Sequence, residues 1–86
     1  MNLLSANDFD ALSNALQRGE EIYLWRSLGD VLVRARTLKV SAPWQVDMIL
    51  QIQMERGNIS WTQNFINTAD AKKQMDGWNK MFHWIA

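Results

Sequence analysis

The sequence predicts an α+β fold in which an N-terminal helix, a four-stranded antiparallel meander and a C-terminal helix follow one another, with both helices on one face of the sheet. Three observations predict it. A helix-capping signal stands near each end of the chain, apolar and polar residues alternate through the middle, and Gly57-Asn58 forms a two-residue turn signal. At a length of 86 residues we expect a single domain spanning residues 1–86.

The first helix is predicted to run from its cap at Ser5 to Arg18. Ser5 is a suitable N-cap, and Asp8 stands where it can complete a capping box. Gly19 follows at the position where a left-handed C-cap is expected. The apolar residues fall on one stripe that would face the core, namely Phe9, Leu12, Ala15 and Leu16.

The segment from Glu20 to Val40 fits two templates. As a helix, it carries an apolar stripe at helical spacing and basic residues near its end. As a hairpin, it gives strands at 21–26 and 31–39 joined by a turn at 27–30. The hairpin is favoured because the strand that follows is too long to be paired along its whole length by one neighbour. The alternative is an all-α N-terminal half with one β-hairpin at 44–66.

The clearest periodicity lies in residues 44–55, where apolar side chains occupy every second position and a helix would scatter them all round its surface. Folding back at Gly57-Asn58 brings these pairs together: Met54 with Trp61, Ile52 with Gln63, and Leu50 with Phe65. A turn at 40–43 would set the preceding strand against this one through these pairs: Val31 with Ile52, Val33 with Leu50, Ala35 with Met48, Thr37 with Val46, and Arg36 with Asp47. Extending the ladder outward would place Leu24 beside Val33.

The last helix is predicted to begin after Asn67, which can act as its N-cap, with Asp70 at the third helical position. Gly77 interrupts this helix, where it should cost about 1 kcal/mol relative to alanine. The residues at core-facing spacing are Ala71, Met75, Trp78, Phe82 and Ile85.

Composition argues against several classes of protein. Nine basic and nine acidic residues cancel, and the absence of cysteine excludes disulfides and thiolate metal sites. There is no secretory signal and no apolar run long enough for a membrane span, so we expect a cytoplasmic protein that does not contact a membrane. His83 has no metal-ligand partner at a suitable spacing, and Asp8 and Asp10 lack the rest of a calcium loop. No nucleophile motif occurs, so we expect neither catalysis nor a cofactor or metal.

The surface residues suggest a binding function. The chain has five tryptophans, of which Trp44, Trp61 and Trp78 fall on predicted core faces, whereas Trp25 and Trp84 do not. Aromatic and aliphatic residues flanked by arginine are typical of protein-binding hot spots, which predicts an adaptor or inhibitor of a larger protein, of the kind that phages and plasmids encode. The candidate partner-binding residues are Tyr23, Trp25, Leu32, Arg34, Arg36, Ile49, Ile66 and Trp84. If residues 20–40 were helical, Trp25 would instead be a core residue.

Two other functions remain open from the sequence. The same outer sheet face could stack the bases of single-stranded nucleic acid, although the balanced charge and the acidic residues on that face argue against it. The last strand, residues 59–66, would lie at an edge of the sheet without proline or lysine to discourage pairing. It could therefore form a homodimer, accept a partner's strand, or be covered by a loop or helix of its own chain.

Overall fold

The computed structural model describes residues 3–41 and 47–82. Its elements are α1 (Ala6–Arg18), β1 (Tyr23–Leu28), β2 (Val31–Lys39), β3 (Met48–Arg56), β4 (Ile59–Phe65) and α2 (Thr68–Phe82). The four strands form one antiparallel sheet in the order β1-β2-β3-β4. The predicted α+β meander is confirmed, and the alternative with an all-α N-terminal half is wrong because residues 23–39 form a hairpin.

The start of α1 has the predicted capping box. The Ser5 backbone N–H donates to the Asp8 carboxylate at 3.0 Å, and the Asp8 backbone N–H donates to Ser5 Oγ at 3.1 Å. The helix ends at Gly19, which adopts a left-handed conformation with φ 70°. Both helix ends therefore follow from local sequence alone.

Asp8 also ties α1 to the sheet. Its second carboxylate oxygen accepts a hydrogen bond from Arg26 Nη2 at 2.8 Å, and Arg26 lies in β1. Burial works to raise the pKa of Asp8, but the Ser5 backbone N–H and the Arg26 guanidinium outweigh it, so the pKa lies below the ordinary value of 3.8. The folded state consequently gains stability from the ionised carboxylate, and it loses this contribution as the pH falls through the lowered pKa.

Asp8→Asn should therefore be less stable than the wild type at neutral pH, and the difference should shrink as the pH falls below about 4. Urea denaturation of both proteins at a series of pH values measures it. A difference that stays constant down to about pH 2.5 would show that the charge of Asp8 does not stabilise the fold.

The strand registers were predicted correctly on one side of the sheet only. In the β3–β4 hairpin all the predicted pairs are present, Leu50 with Phe65 among them. Between β2 and β3 the prediction is wrong by four residues, since Val33 pairs with Met54, and Arg36 lies opposite Gln51. The cause is a longer connection over residues 40–47, within which the Val40 N–H donates to the Asp47 carbonyl at 3.1 Å. An even shift leaves every side chain on its predicted face.

Smaller corrections concern the strand ends. The first hairpin turns at Gly29-Asp30, where Gly29 has a φ of 60°, so β1 covers residues 23–28 and Leu24 pairs with Ala35 rather than Val33. β3 begins at Met48, and residues 44–46 of the predicted longer strand, including Trp44, lie outside the described residues.

One cluster of buried side chains connects both helices to the same face of the sheet. Phe9 and Leu12 of α1 and Met75 of α2 meet the central strands there, where Leu50 and Ile52 are fully buried. Trp78 is buried as predicted and Trp61 is half-buried against the cluster, whereas the side chain of Phe82 and all of Ile85 lie outside the description.

Thr37 is a polar residue that is buried on the helix side of the sheet. Its side chain is 1 % exposed, and its hydroxyl donates to the Glu20 carbonyl at 2.7 Å and accepts from the Ile22 N–H at 2.9 Å. Thr37 thereby satisfies two backbone groups of the connection between α1 and β1, a role that the alternation pattern did not reveal.

Thr37→Val keeps the side-chain shape but leaves both backbone groups without this partner. We expect a loss of about 1–3 kcal/mol in the free energy of unfolding, measured by urea denaturation. Thr62→Val, at an exposed position of β4, serves as the control and should be close to neutral when the variants are unfolded at low protein concentration. Equal stability of the two variants would contradict the role assigned to the hydroxyl.

The helix α2 begins as predicted, with the Asp70 N–H donating to Asn67 Oδ1 at 2.8 Å, and it continues through Gly77 without interruption. Gly77 is not among the glycines with positive φ, and a Cβ added there would meet no atom within 4 Å. The described part of the chain therefore gives no reason for a glycine at this position.

Gly77→Ala should accordingly raise the free energy of unfolding by about 1 kcal/mol. Chemical denaturation at low protein concentration measures the change. A loss of stability would mean that the added methyl group meets an obstacle within the folded chain.

Candidate functional site

The outer face of the sheet, opposite the helices, gathers most of the residues singled out from the sequence. Alternate side chains of a strand share a face, and the register sets Trp25 directly opposite Arg34 and Tyr23 directly opposite Arg36. Trp25 is 57 % exposed and Tyr23 is 54 % exposed. We define the aromatic–arginine patch as Tyr23, Trp25, Leu32, Arg34 and Arg36.

Two shallow depressions shape the patch. One has a volume of about 250 Å³ and is lined by Tyr23, Trp25, Leu32 and Arg34. The other has a volume of about 260 Å³ and extends across the sheet to β3. Gln51 and Gln53 line it in place of Trp25 and Leu32. Tyr23 and Arg34 line both depressions, so the apolar and the polar half of the surface meet at these two side chains.

The two arginines of the patch have different surroundings. Arg34 Nη1 donates to Glu55 Oε1 at 3.0 Å, and the same oxygen accepts from Gln53 Nε2, so the Arg34 charge is balanced within the chain. Arg36 Nε donates to the neutral Gln51 Oε1 at 2.9 Å, and no carboxylate of the described residues forms an ion pair with it. Arg36 is therefore the guanidinium that remains available for a carboxylate on another molecule.

The other predicted site residues are not part of this patch. Ile49 is half-buried and lies opposite Leu38, while Ile66 is 67 % exposed and follows β4 at the far edge of the sheet. Strand β2 lies between Ile49 and the aromatic residues of β1, and Ile66 is one strand farther away. Trp84 lies outside the described residues.

Sequence reasoning missed the side chains that order the patch. Arg26 points to the helix side, where it holds Asp8, and its Nη1 also donates to the Trp25 carbonyl at 2.7 Å. Gln51, which accepts a hydrogen bond from Arg36, also donates one from its Nε2 to Asn64 Oδ1 at 3.2 Å. The pairing of Gln51 with Asn64 was predicted from the sequence, whereas the contact of Gln51 with Arg36 depends on the β2–β3 register, which was assigned incorrectly.

Within the described residues, no group of three or more His, Cys, Asp and Glu side chains could hold a metal ion, and His83 lies outside them. No helix in residues 3–41 and 47–82 is long and apolar enough to cross a membrane. Comparison with known protein families, characterised proteins and solved structures gives no match for this chain.

Proposed function

We propose that this protein is a small non-catalytic interaction module that binds a larger protein through the aromatic–arginine patch and acts as an adaptor or inhibitor in the cytoplasm. The observation that carries the proposal is the exposure of Trp25 and Tyr23, at 57 % and 54 %, on neighbouring positions of one sheet face. Large aromatic side chains next to arginine are the residues that most often dominate the energy of protein interfaces.

The surroundings of the patch indicate what the partner offers. Trp25 and Leu32 would enter an apolar recess of the partner, and Arg36 would meet a carboxylate beside it. The patch is built on two paired strands, so its backbone needs little ordering upon binding. Such a module works by occluding a surface of its partner or by bridging two proteins.

Single-stranded nucleic acid is the second candidate ligand, and the local electrostatics favour it less. Glu55 neutralises Arg34, and the centre of the face carries the neutral side chains of Gln51 and Gln53. Base stacking on Trp25 and Tyr23 would then have little support from phosphate contacts.

A tagged pull-down from a lysate of the native host separates the two candidates. We expect a protein recovered at near-stoichiometric yield, resistant to nuclease and retained as the salt concentration is raised, with capture lost upon Trp25→Ala. Recovery that disappears with nuclease or falls steeply with salt would assign the face to nucleic acid and contradict the proposal.

The homodimer suggested by residues 59–66 would use the opposite edge of the sheet from β1. Dimerisation and binding through the patch are therefore independent proposals.

A further inference from the structure

The edge strand β4 exposes a row of backbone groups that nothing in the described chain pairs. Arg56 and Ile59 flank the two-residue turn and form a hydrogen-bonded pair. Every second residue of β4 from Ile59 onward therefore makes its backbone hydrogen bonds to β3. The residues between them direct their N–H and C=O groups away from the sheet, and these are Ser60, Thr62 and Asn64. No backbone bond within residues 3–41 and 47–82 joins these groups to another element.

The two edges of the sheet differ in protection. At the β1 edge, the outward carbonyl of Trp25 accepts a hydrogen bond from the charged side chain of Arg26 at 2.7 Å. Charged groups at an edge discourage the addition of another strand. β4 contains no charged residue between Ile59 and Phe65, so its edge is open to pairing.

A groove of about 570 Å³ runs beside this open edge, between β4 and α2. Gln63 and Phe65 line one side, and Asp70, Lys73 and Gly77 line the other. Gly77 widens the groove although the chain itself does not require a glycine there. A glycine on a helix surface permits close approach of another molecule, and here that approach would come from outside the chain.

We propose that a second copy of this chain occupies the edge and the groove, through antiparallel pairing of β4 with β4 about a two-fold axis at Thr62. In this register Thr62 pairs with its own equivalent and Ser60 pairs with Asn64 of the second copy, so all the outward backbone groups are used. The same register sets Ile59 of one copy opposite Phe65 of the other. Ile59 is 55 % exposed in the single chain, and the pairing would bury it in the partner's groove.

The surfaces that would meet are compatible in charge. The two β4 strands are uncharged, and the groove wall carries one residue of each sign, Asp70 and Lys73. A two-fold axis across an antiparallel strand pair stands perpendicular to the sheet. The dimer would therefore present two aromatic–arginine patches on the same side of one continuous sheet, which would favour divalent partners.

Sedimentation velocity over a concentration series tests the dimer with charge substitutions at its axis. The wild type should be dimeric, whereas Thr62→Lys and Thr62→Glu should each be monomeric because like charges then stand directly opposite. An equimolar mixture of the two variants should recover the dimer. A wild type that remains monomeric up to high concentration, or single variants that still dimerise, would overturn the proposal.

Two further variants assign the contact. Gly77→Ala should weaken the dimer while the folded monomer is retained, and unchanged dimerisation would remove Gly77 and the groove from the interface. Trp25→Ala should leave the dimer intact, which separates this proposal from the function of the outer face. Loss of the dimer upon Trp25→Ala would place the interface on the patch and contradict pairing through β4.

Discussion

Trp25→Ala should remove most of the affinity for the protein partner while the fold remains intact. The Trp25 side chain is the large aromatic group of the patch, and truncating such an anchor typically costs about 2 kcal/mol or more, which is roughly a 30-fold rise in Kd. Because 57 % of the residue is already exposed, we expect the melting temperature to change by less than about 3 °C. Titration calorimetry with the purified partner and a thermal melt measure the two quantities.

The matched control is Met81→Ala, which truncates another exposed apolar side chain, on α2 and away from the outer sheet face. A charge reversal at Arg36 complements the Trp25→Ala test. Its control is Lys72→Glu on α2. Arg36 is preferable to Arg34 for this purpose because Arg34→Glu would also break the ion pair with Glu55. Equal effects of the patch variants and their controls would contradict the assignment of the binding surface.

Ile52→Ala should have the largest effect on stability among the predictions made for this chain. Ile52 is fully buried on β3 and belongs to the cluster that both helices cover. Removing its side chain should lower the free energy of unfolding by about 2–5 kcal/mol, because apolar burial is lost and a cavity remains. A domain of this size has a total stability of roughly 4–13 kcal/mol, so this loss is a large share of the total and the variant should unfold at a clearly lower urea concentration than the wild type.

Ile49→Ala is the matched control because it is the same substitution in the same strand. Ile49 is half-buried and lies on the outer face, so its truncation should cost clearly less than that of Ile52. Urea denaturation of both variants compares them. A similar cost at the two positions would mean that the helices do not define the buried face of the sheet.

The fold could be predicted from the sequence wherever local chemistry determines the structure. The Ser5 capping box, the left-handed Gly19 and the Gly57-Asn58 turn each require a particular residue at a particular position, and each is present as predicted. The β3–β4 register followed from that turn because a two-residue loop fixes which residues are opposite.

The β2–β3 register could not be obtained in the same way. Alternation specifies which face a side chain occupies but not how far one strand slides along another in steps of two residues. The register is determined by the connection between β2 and β3, and residues 40–47 contain no signal for a tight turn as strong as Gly57-Asn58.

The candidate site shows the same division. Alternate residues of a strand lie on the same face of a sheet, so the grouping of Trp25 and Tyr23 with the arginines on one face could be predicted. The pairing of Arg34 with Glu55 and the contact of Arg36 with Gln51 depend on the true register and were not predicted. These contacts decide which guanidinium is neutralised, so the electrostatics of the patch required the structure.

Site-specific photo-crosslinking from the patch tests the central claim most directly. A benzophenone side chain would replace Tyr23, which is 54 % exposed within the patch, and in a matched variant it would replace Met81, which is 70 % exposed on α2. In a lysate of the native host, we predict one nuclease-resistant protein adduct from position 23 and none from position 81. Adducts of equal yield from both positions, or an adduct from position 23 that nuclease removes, would contradict the assignment of the outer face to a protein partner.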